Sequence, residues 1–436
     1  MPPTFRSAVV AAAALILTAR SANAQNPAPA PEPAGQPHDM SKMDMPMDMD
    51  MSGTGWHLMQ DGSLYLLVNR QGGPRGGREF KAPNWWMGMA SRHVGGGDLT
   101  LTGMFSLDPA TVGARGYREI FQVGEALDGE SVVDRQHPHD AWMQIAAAWR
   151  RPVWHRTGLT LAGGVAGEPA LGPVAFMHRA SVAAIPFAPL GHHTFDSTHV
   201  AFGVVTAGID HGPVALEASL FNGREPDGQR WDFDFGPLDS ASGRIWYRPS
   251  RRWEFQLSSG RLVEPEQLHA GNVVRTTTSA SYTTGDDAHL RAVTIGAGMN
   301  ATDDVTRRAV FGEATASWGR LTASIRAEVV EVETELLRLR ELPETPAAEA
   351  RRDPVGAFTL GAQRIIANWR GFTSAIGANA TLYYVPSPLA STHGAHPISF
   401  QVFLQLRPPV GAMGRMWNMR MAGPSMGAGA SAAHQH

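Results

Sequence analysis

The sequence predicts an all-β chain built as a single transmembrane antiparallel β-barrel of about 14–16 strands, with long outer loops and short periplasmic turns. Three observations carry this expectation. Segments of roughly ten residues alternate apolar and hydrophilic side chains, short and long connections alternate between them, and aromatic residues gather near segment ends, where the edges of a bilayer would lie.

The alternation is explicit in "RLTASIRAEVV", where Leu321, Ala323, Ile325, Ala327 and Val329 share one face and Thr322, Ser324, Arg326 and Glu328 the other. "RWEFQLSSG" sets Trp253, Phe255 and Leu257 against Glu254, Gln256 and Ser258, and "ISFQVFLQLR" sets Phe400, Val402, Leu404 and Leu406 against Gln401, Gln405 and Arg407. Short connections fall near 93–97, 151–156, 210–212, 249–251, 285–287, 319 and 368–371. Long ones fall at 71–83, 109–138, 167–198, 223–238, 264–272, 301–306, 333–354 and 386–396. The long loops are expected outside. Trp85, Trp86, Trp149, Trp154, Trp246, Tyr247, Trp253, Trp369, Tyr383 and Tyr384 are expected in interfacial girdles. A soluble propeller would repeat a motif every ~40–50 residues, and the sequence has no such period.

Residues 1–24 read as a secretory signal peptide: Arg6, the apolar run "AVVAAAALIL" and the small-residue pattern "ANA". That run is too short to cross a bilayer as a helix, and no later stretch approaches the roughly 18 apolar residues required. Residues 25–62 hold a Pro/Ala tether, "NPAPAPEPAGQP", and then "HDMSKMDMPMDMDMSG", in which methionine alternates with aspartate. The barrel is assigned to 63–407 and a Met-rich tail, containing "MGRMWNMRMAGPSMG", to 408–436. An even strand number puts both tails on the periplasmic side.

Composition removes several function classes. The chain has no cysteine, which excludes disulfides, Cys-ligated zinc and thiol catalysis. A net charge of -3 with 18% charged residues gives no basic face for nucleic acid. There is no nucleotide-binding loop, so active transport would need a partner. The expected partners are outer-membrane lipid, metal ions or small solutes, and periplasmic copper proteins.

Two groups of residues could carry chemistry. Met40, Met43, Met45, Met47, Met49 and Met51, beside the imidazole of His38, offer thioethers suited to Cu(I) on a segment that contributes no strand. In "DRQHPHDAW", His137 and His139 face the same way on an extended backbone that Pro138 enforces. The following long loop carries His178, Arg179, His192, His193 and Asp196, and His199 opens the next strand. Because the two loops flank one hairpin, these histidines are expected to converge at the barrel mouth or inside the lumen.

Three readings of the histidines stay open. They form a metal-binding or selectivity constriction, or a polar lining that pins loops, or part of a zinc hydrolase with Glu168 or Asp140 as base. No H-E-x-x-H motif supports the last. As metal ligands they would prefer Cu(II) or zinc and lose affinity as pH falls through about 6.5. Glu225, Asp227, Asp232 and Asp234 read as a solvated outer loop able to attract cations. No cofactor beyond copper ions is expected.

The leader "DMSKMDMPMDMDM" ahead of a barrel is similar to copper-resistance outer-membrane proteins of the CopB kind. "VVDRQHPHD", "EPALGPVAFMHR", "DSTHVAFG" and "NGREPD", between 132 and 227, resemble a group of uncharacterised outer-membrane proteins associated with metal-resistance gene clusters. The first likeness covers about a tenth of the mature chain and its general architecture. Together they imply an outer-membrane barrel that binds or passes copper in metal tolerance. A porin-like channel without a metal role is the alternative, and a barrel hydrolase a third.

Overall fold

The computed structural model describes residues 55–123, 125–267, 271–340, 350–410 and 415–418. The signal peptide, the segment from His38 to Met51 and most of the C-terminal tail lie outside them.

The chain enters on β1 (His57–Gln71), and β2 (Gly77–Lys81) and β3 (Asn84–Val94) return along it as one interrupted strand. The interruption falls at Pro83, which has no amide hydrogen to give to a ladder. After β4 (Gly97–Phe105) a long connection holds four short strands, β5 (Tyr117–Arg118), β6 (Glu125–Leu127), β7 (Glu130–Val132) and β8 (Arg135–Gln136). The wall resumes with β9 (Trp142–Trp154), β10 (Thr157–Gly167), β11 (Ala201–His211), β12 (Val214–Phe221), β13 (Ser240–Tyr247) and β14 (Trp253–Leu262). It ends with β15 (Val273–Thr284), β16 (Arg291–Ala301), β17 (Thr306–Trp318), β18 (Leu321–Glu333), β19 (Arg352–Trp369), β20 (Phe372–Tyr384) and β21 (Ile398–Arg407).

Wall neighbours pair antiparallel, and β21 closes onto β1 from Leu64↔Leu406 to Arg70↔Phe400. Since β2 and β3 share one position, the 17-stranded sheet is a 16-strand closed barrel. The strand structure begins at His57, inside the stretch assigned to the tether, because "HLMQDG" continues the β1–β3 ladder as far as His57↔Ser91.

The barrel is apolar outside and polar inside. On β18, Leu321, Ile325 and Val329 are exposed on the outer face while Ser324, Arg326 and Glu328 are buried in the lumen. No described helix is long and apolar enough to cross a membrane. Closure satisfies every wall strand within the ladder, so the apolar outer face can sit in hydrocarbon. This is the architecture of an outer-membrane barrel. Trp154, Tyr247, Trp253 and Trp369 are exposed at the short-turn end, as a girdle requires. Trp85, Trp246 and Tyr383 are buried instead. Each of these three precedes another aromatic, and consecutive strand residues point to opposite faces, so one member of each pair must face the lumen.

The long connections 106–141 and 168–200 do not stay outside. They fold back into the barrel, and nearly every residue from 168 to 202 is buried. Short helical turns, Phe176–His178, Ala180–Val182, His192–Phe195 and Ser197–His199, use few of the plug's own backbone groups. The wall supplies the remaining partners. Arg326 donates to Phe187 O at 3.1 Å, Arg244 to Gly172 O at 3.1 Å, and Arg275 to His193 O at 2.7 Å. In return Ser219, Ser258 and Ser324 accept the amides of Ala170, Gly172 and Ala184 at 2.7, 2.9 and 3.0 Å. Gly172 takes φ 85°, and a Cβ there would strike the Phe195 carbonyl oxygen. Apolar contacts between plug and wall, among them Phe121, Leu190, Phe195 and Phe311, complete the seal.

Candidate functional site

The plug brings five of the predicted histidines together. Pro138 keeps the backbone extended so that His137 and His139 reach the same region, and the single turn His192–Phe195 presents His192 and His193 opposite them. Ring centroids lie 5.5 Å apart for His137 and His192, 5.8 Å for His137 and His193, 5.4 Å for His192 and His199, and 5.7 Å for His139 and His199. The sixth, His178, stands apart, edge-on to Trp85 at 5.0 Å.

Each clustered ring has its Nδ1 against an oxygen. His137 meets Pro138 O at 3.0 Å, His139 meets Asp108 Oδ2 at 3.0 Å, and His192 meets Asp196 Oδ1 at 2.7 Å. His193 meets Glu225 Oε1 at 3.2 Å and His199 meets Asp196 O at 2.6 Å. Carbonyls and carboxylates only accept, so in each neutral ring Nδ1 holds the hydrogen and Nε2 keeps the lone pair. Outer-shell oxygens on Nδ1 orient histidines in metal sites in the same way. Nε2 of His192 and of His199 is buried with no hydrogen-bond partner.

Burial holds His137, His192 and His199 neutral. It pushes His137 well below the usual imidazole range, helped by the charge of Arg230. It lowers His192 against the opposing pull of Asp196, and takes His199 down to about 3. The lone pairs therefore stay available well below the pH of about 6.5 expected for free imidazole. Burial alone would raise Asp196, but its bond to His192 and the charge of Arg179 hold it well below the ordinary carboxylate range.

The spacing suits pairs of ligands. Two imidazoles on one tetrahedral ion, with metal–nitrogen bonds of about 2 Å, have centroids about 5 Å apart. Among the described residues, Asp227, Asp232 and Asp234 are the one group of three whose ligand atoms all lie within 4.8 Å of one another. A metal ion at the histidines would thus have to use neighbouring pairs of rings, or a small rotation that draws in a third. Glu225 leaves the acidic loop to meet His193. The two candidate bases of the hydrolase reading are tied down: Glu168 Oε1 accepts from Arg244 at 3.1 Å and Asp140 Oδ2 from Arg230 at 3.2 Å.

Asp108 escaped the sequence reading, since it lies 31 residues before His139 and only the fold of the connection brings them together. Its local signal, an acidic residue before Pro109, reads as an ordinary helix start. The leader residues His38, Met40, Met43, Met45, Met47, Met49 and Met51 lie outside the described residues.

No family model matches the chain, and no curated protein matches it in sequence. Among solved structures it is similar to OmpF of Salmonella typhi, with 7% identity, 82% of this chain and 99% of that chain covered, and a TM-score of 0.49. It is similar to OprB of Pseudomonas putida, with 10% identity, 82% and 95% covered, and a TM-score of 0.48. It is also similar to in-vitro folded OmpT, an outer membrane protein of Vibrio cholerae, with 9% identity, 83% and 99% covered, and a TM-score of 0.47. Likeness this low says nothing about ligand or activity.

Proposed function

We propose that this chain is an outer-membrane barrel that binds a transition-metal ion, Cu(II) or zinc, at the histidine cluster of its plug, and that it serves in copper handling. The observation that carries the reading is the pair of buried, unpartnered Nε2 atoms on His192 and His199, whose Nδ1 atoms are fixed by Asp196. A purely structural lining would be expected to satisfy both ring nitrogens, because an unmet buried polar atom costs about 1–3 kcal/mol. Here the fold satisfies the outward nitrogen and leaves the inward one. A metal ion would meet that second atom and would supply Lewis-acid binding there.

The resemblance to copper-resistance proteins of the CopB kind belongs to this reading, as does the Cu(I) role of the methionine leader and any contact with periplasmic copper proteins. Passage of ions or small solutes would need the plug to shift. A porin-like channel would instead keep the plug as a fixed constriction, and a hydrolase would need a free carboxylate base near the rings.

Calorimetry with zinc and Cu(II) on the detergent-folded barrel lacking residues 38–51 tests the site. A bound equivalent that disappears in His192→Ala/His199→Ala is expected. Equal binding by the parent and this variant would sink the proposal. In cells, a deletion strain should become copper-sensitive with unchanged uptake of neutral sugars.

A further inference from the structure

The lumen holds a second group of donors that the histidine reading does not use. Most inward-facing wall positions are polar, as on β18, yet Met87, Met104 and Met143 on the consecutive wall strands β3, β4 and β9 are completely buried and pack in one cluster. Met177 from the plug and Met416 from the tail pack against the same cluster.

The ladder is adjusted to assemble them. Met87 and Met104 are direct cross-strand partners, which puts their Cβ atoms about 5 Å apart. Between β4 and β9 the register runs Met104↔Gln144 and then Phe105↔Trp142, so Met143 is an extra residue without a partner. A bulge of this kind re-aims a side chain, and here Met143 and Gln144 are both buried although they are consecutive. An unbulged strand would have turned Met143 to lipid.

An imidazole stands beside the sulfurs. His178 follows Met177 directly and packs edge-on to Trp85, a member of the methionine cluster, and its Nε2 is buried with no hydrogen-bond partner. A cavity of about 50 Å³ next to the cluster is lined by Trp85 and Met177, with His139, Arg179 and Arg407 on its other sides, so an ion held by the wall methionines would sit among the sulfurs themselves.

We propose that Met87, Met104 and Met143, with Met177 and His178 of the plug, form an intraluminal site for a soft monovalent cation, Cu(I), for which Ag(I) is a stand-in. Thioethers are soft and uncharged, so they select Cu(I) over hard or divalent ions. The site extends the metal reading of the plug, but it rests on separate residues and can stand if the histidine cluster binds nothing.

X-ray absorption on Ag(I)-loaded, folded barrel lacking residues 38–51 tests this, because that deletion removes the leader's thioethers. About one bound silver with sulfur neighbours is expected. Met87→Leu/Met104→Leu/Met143→Leu keeps side-chain volume and should weaken Ag(I) binding at least about tenfold while heat-modifiable migration stays normal. Should the triple variant fail to fold, Met143→Leu alone should remove one sulfur neighbour from the silver signal. His192→Ala/His199→Ala should leave Ag(I) binding intact whatever it does to zinc. Silver without sulfur neighbours in the parent, or unchanged affinity in the folded methionine variants, overturns the proposal.

Discussion

His393 Nε2 lies 2.9 Å from Asp134 Oδ1, and this contact ties the loop after β20 to the connection that carries the first histidine pair. Asp134 sits at φ 60°, its carboxylate also accepts the Phe121 amide at 3.0 Å, and the Phe121 ring stacks on His393 at 4.5 Å. Burial alone would raise the Asp134 carboxyl, but the bond to His393, its charge, the Phe121 amide and Arg75 hold it below its usual range. His393→Ala removes one partner of a buried pair and should cost about 3 kcal/mol. Limited proteolysis should then cut within 385–397 while the wall stays intact, and an uncut loop would refute the latch.

Asp196 fixes two of the cluster histidines, through its side chain to His192 and its carbonyl to His199. Asp196→Asn keeps the carbonyl but weakens the carboxylate bond that sets the His192 tautomer. Zinc or Cu(II) affinity should drop about 10–100-fold, the usual loss for an outer-shell partner of a ligand. The measurement is calorimetry, with circular dichroism to confirm the fold.

Arg179 pins plug to wall, donating to both Glu313 oxygens of β17 at 2.9 and 3.0 Å and, within the plug, to Asp196 Oδ2 at 2.9 Å. Glu313 also accepts from Arg326 at 3.2 Å. Arg179→Leu removes the shared cation of two buried carboxylates, which keep Arg326 and His192 as their remaining partners, and should destabilise the seated plug by about 3 kcal/mol. Single-channel recordings in a planar bilayer should show larger or more frequent openings than the parent, and identical traces would show that the pin is dispensable.

Acid should loosen the metal-free plug. In the folded chain His178 sits at about 4 and His199 at about 3, both lowered chiefly by burial, against about 6.5 when unfolded. Both folded values are depressed, so between pH 6.5 and 4 the unfolded plug binds more protons than the folded one. Stability is therefore complete above about pH 6.5 and falls as pH drops toward 4, by on the order of 3 kcal/mol for His178 alone. Hydrogen exchange of residues 168–200 should accelerate across that window once corrected for intrinsic rates, and recover on return to pH 7.

The described part of the tail is tied into the lumen. Asn418 N donates to His178 O at 2.7 Å, Arg415 pairs with Asp61 at 3.3 Å, and Trp417 Nε1 donates to Asp287 at 3.1 Å. Deleting 411–436 should raise exchange at 176–180 with little change at 192–199. Equal exchange at both would show that the tail does not support the plug.

The wall was legible because period-two alternation and the spacing of turns are local properties, and they survive in one sequence. Trp246 shows where locality fails: beside Tyr247, either ring could have faced lipid, and only the lumen's Glu217, which accepts its Nε1 hydrogen at 3.0 Å, settles which one does. The convergence of His137 and His139 with His192 and His199 was visible from loops that flank one hairpin. Their support by Asp108 was not, and neither was the methionine cluster, whose members come from three strands and depend on a one-residue bulge. The choice between the barrel mouth and the lumen for these loops also lay beyond pattern, because a buried loop and an exposed one carry the same turn residues when the wall supplies the missing hydrogen bonds.

The plug's anchors couple its seating to the completion of the wall. Residues 168–200 are made before β13 to β18, yet their partners Arg244, Ser258, Arg275, Glu313 and Arg326 lie on those later strands. A segment this rich in unmet amides and carbonyls cannot enter hydrocarbon alone, and contacts this distant in sequence form slowly. The plug therefore gains its full set of hydrogen bonds only where β13 to β18 stand beside it, so seating the plug and completing the wall are coupled.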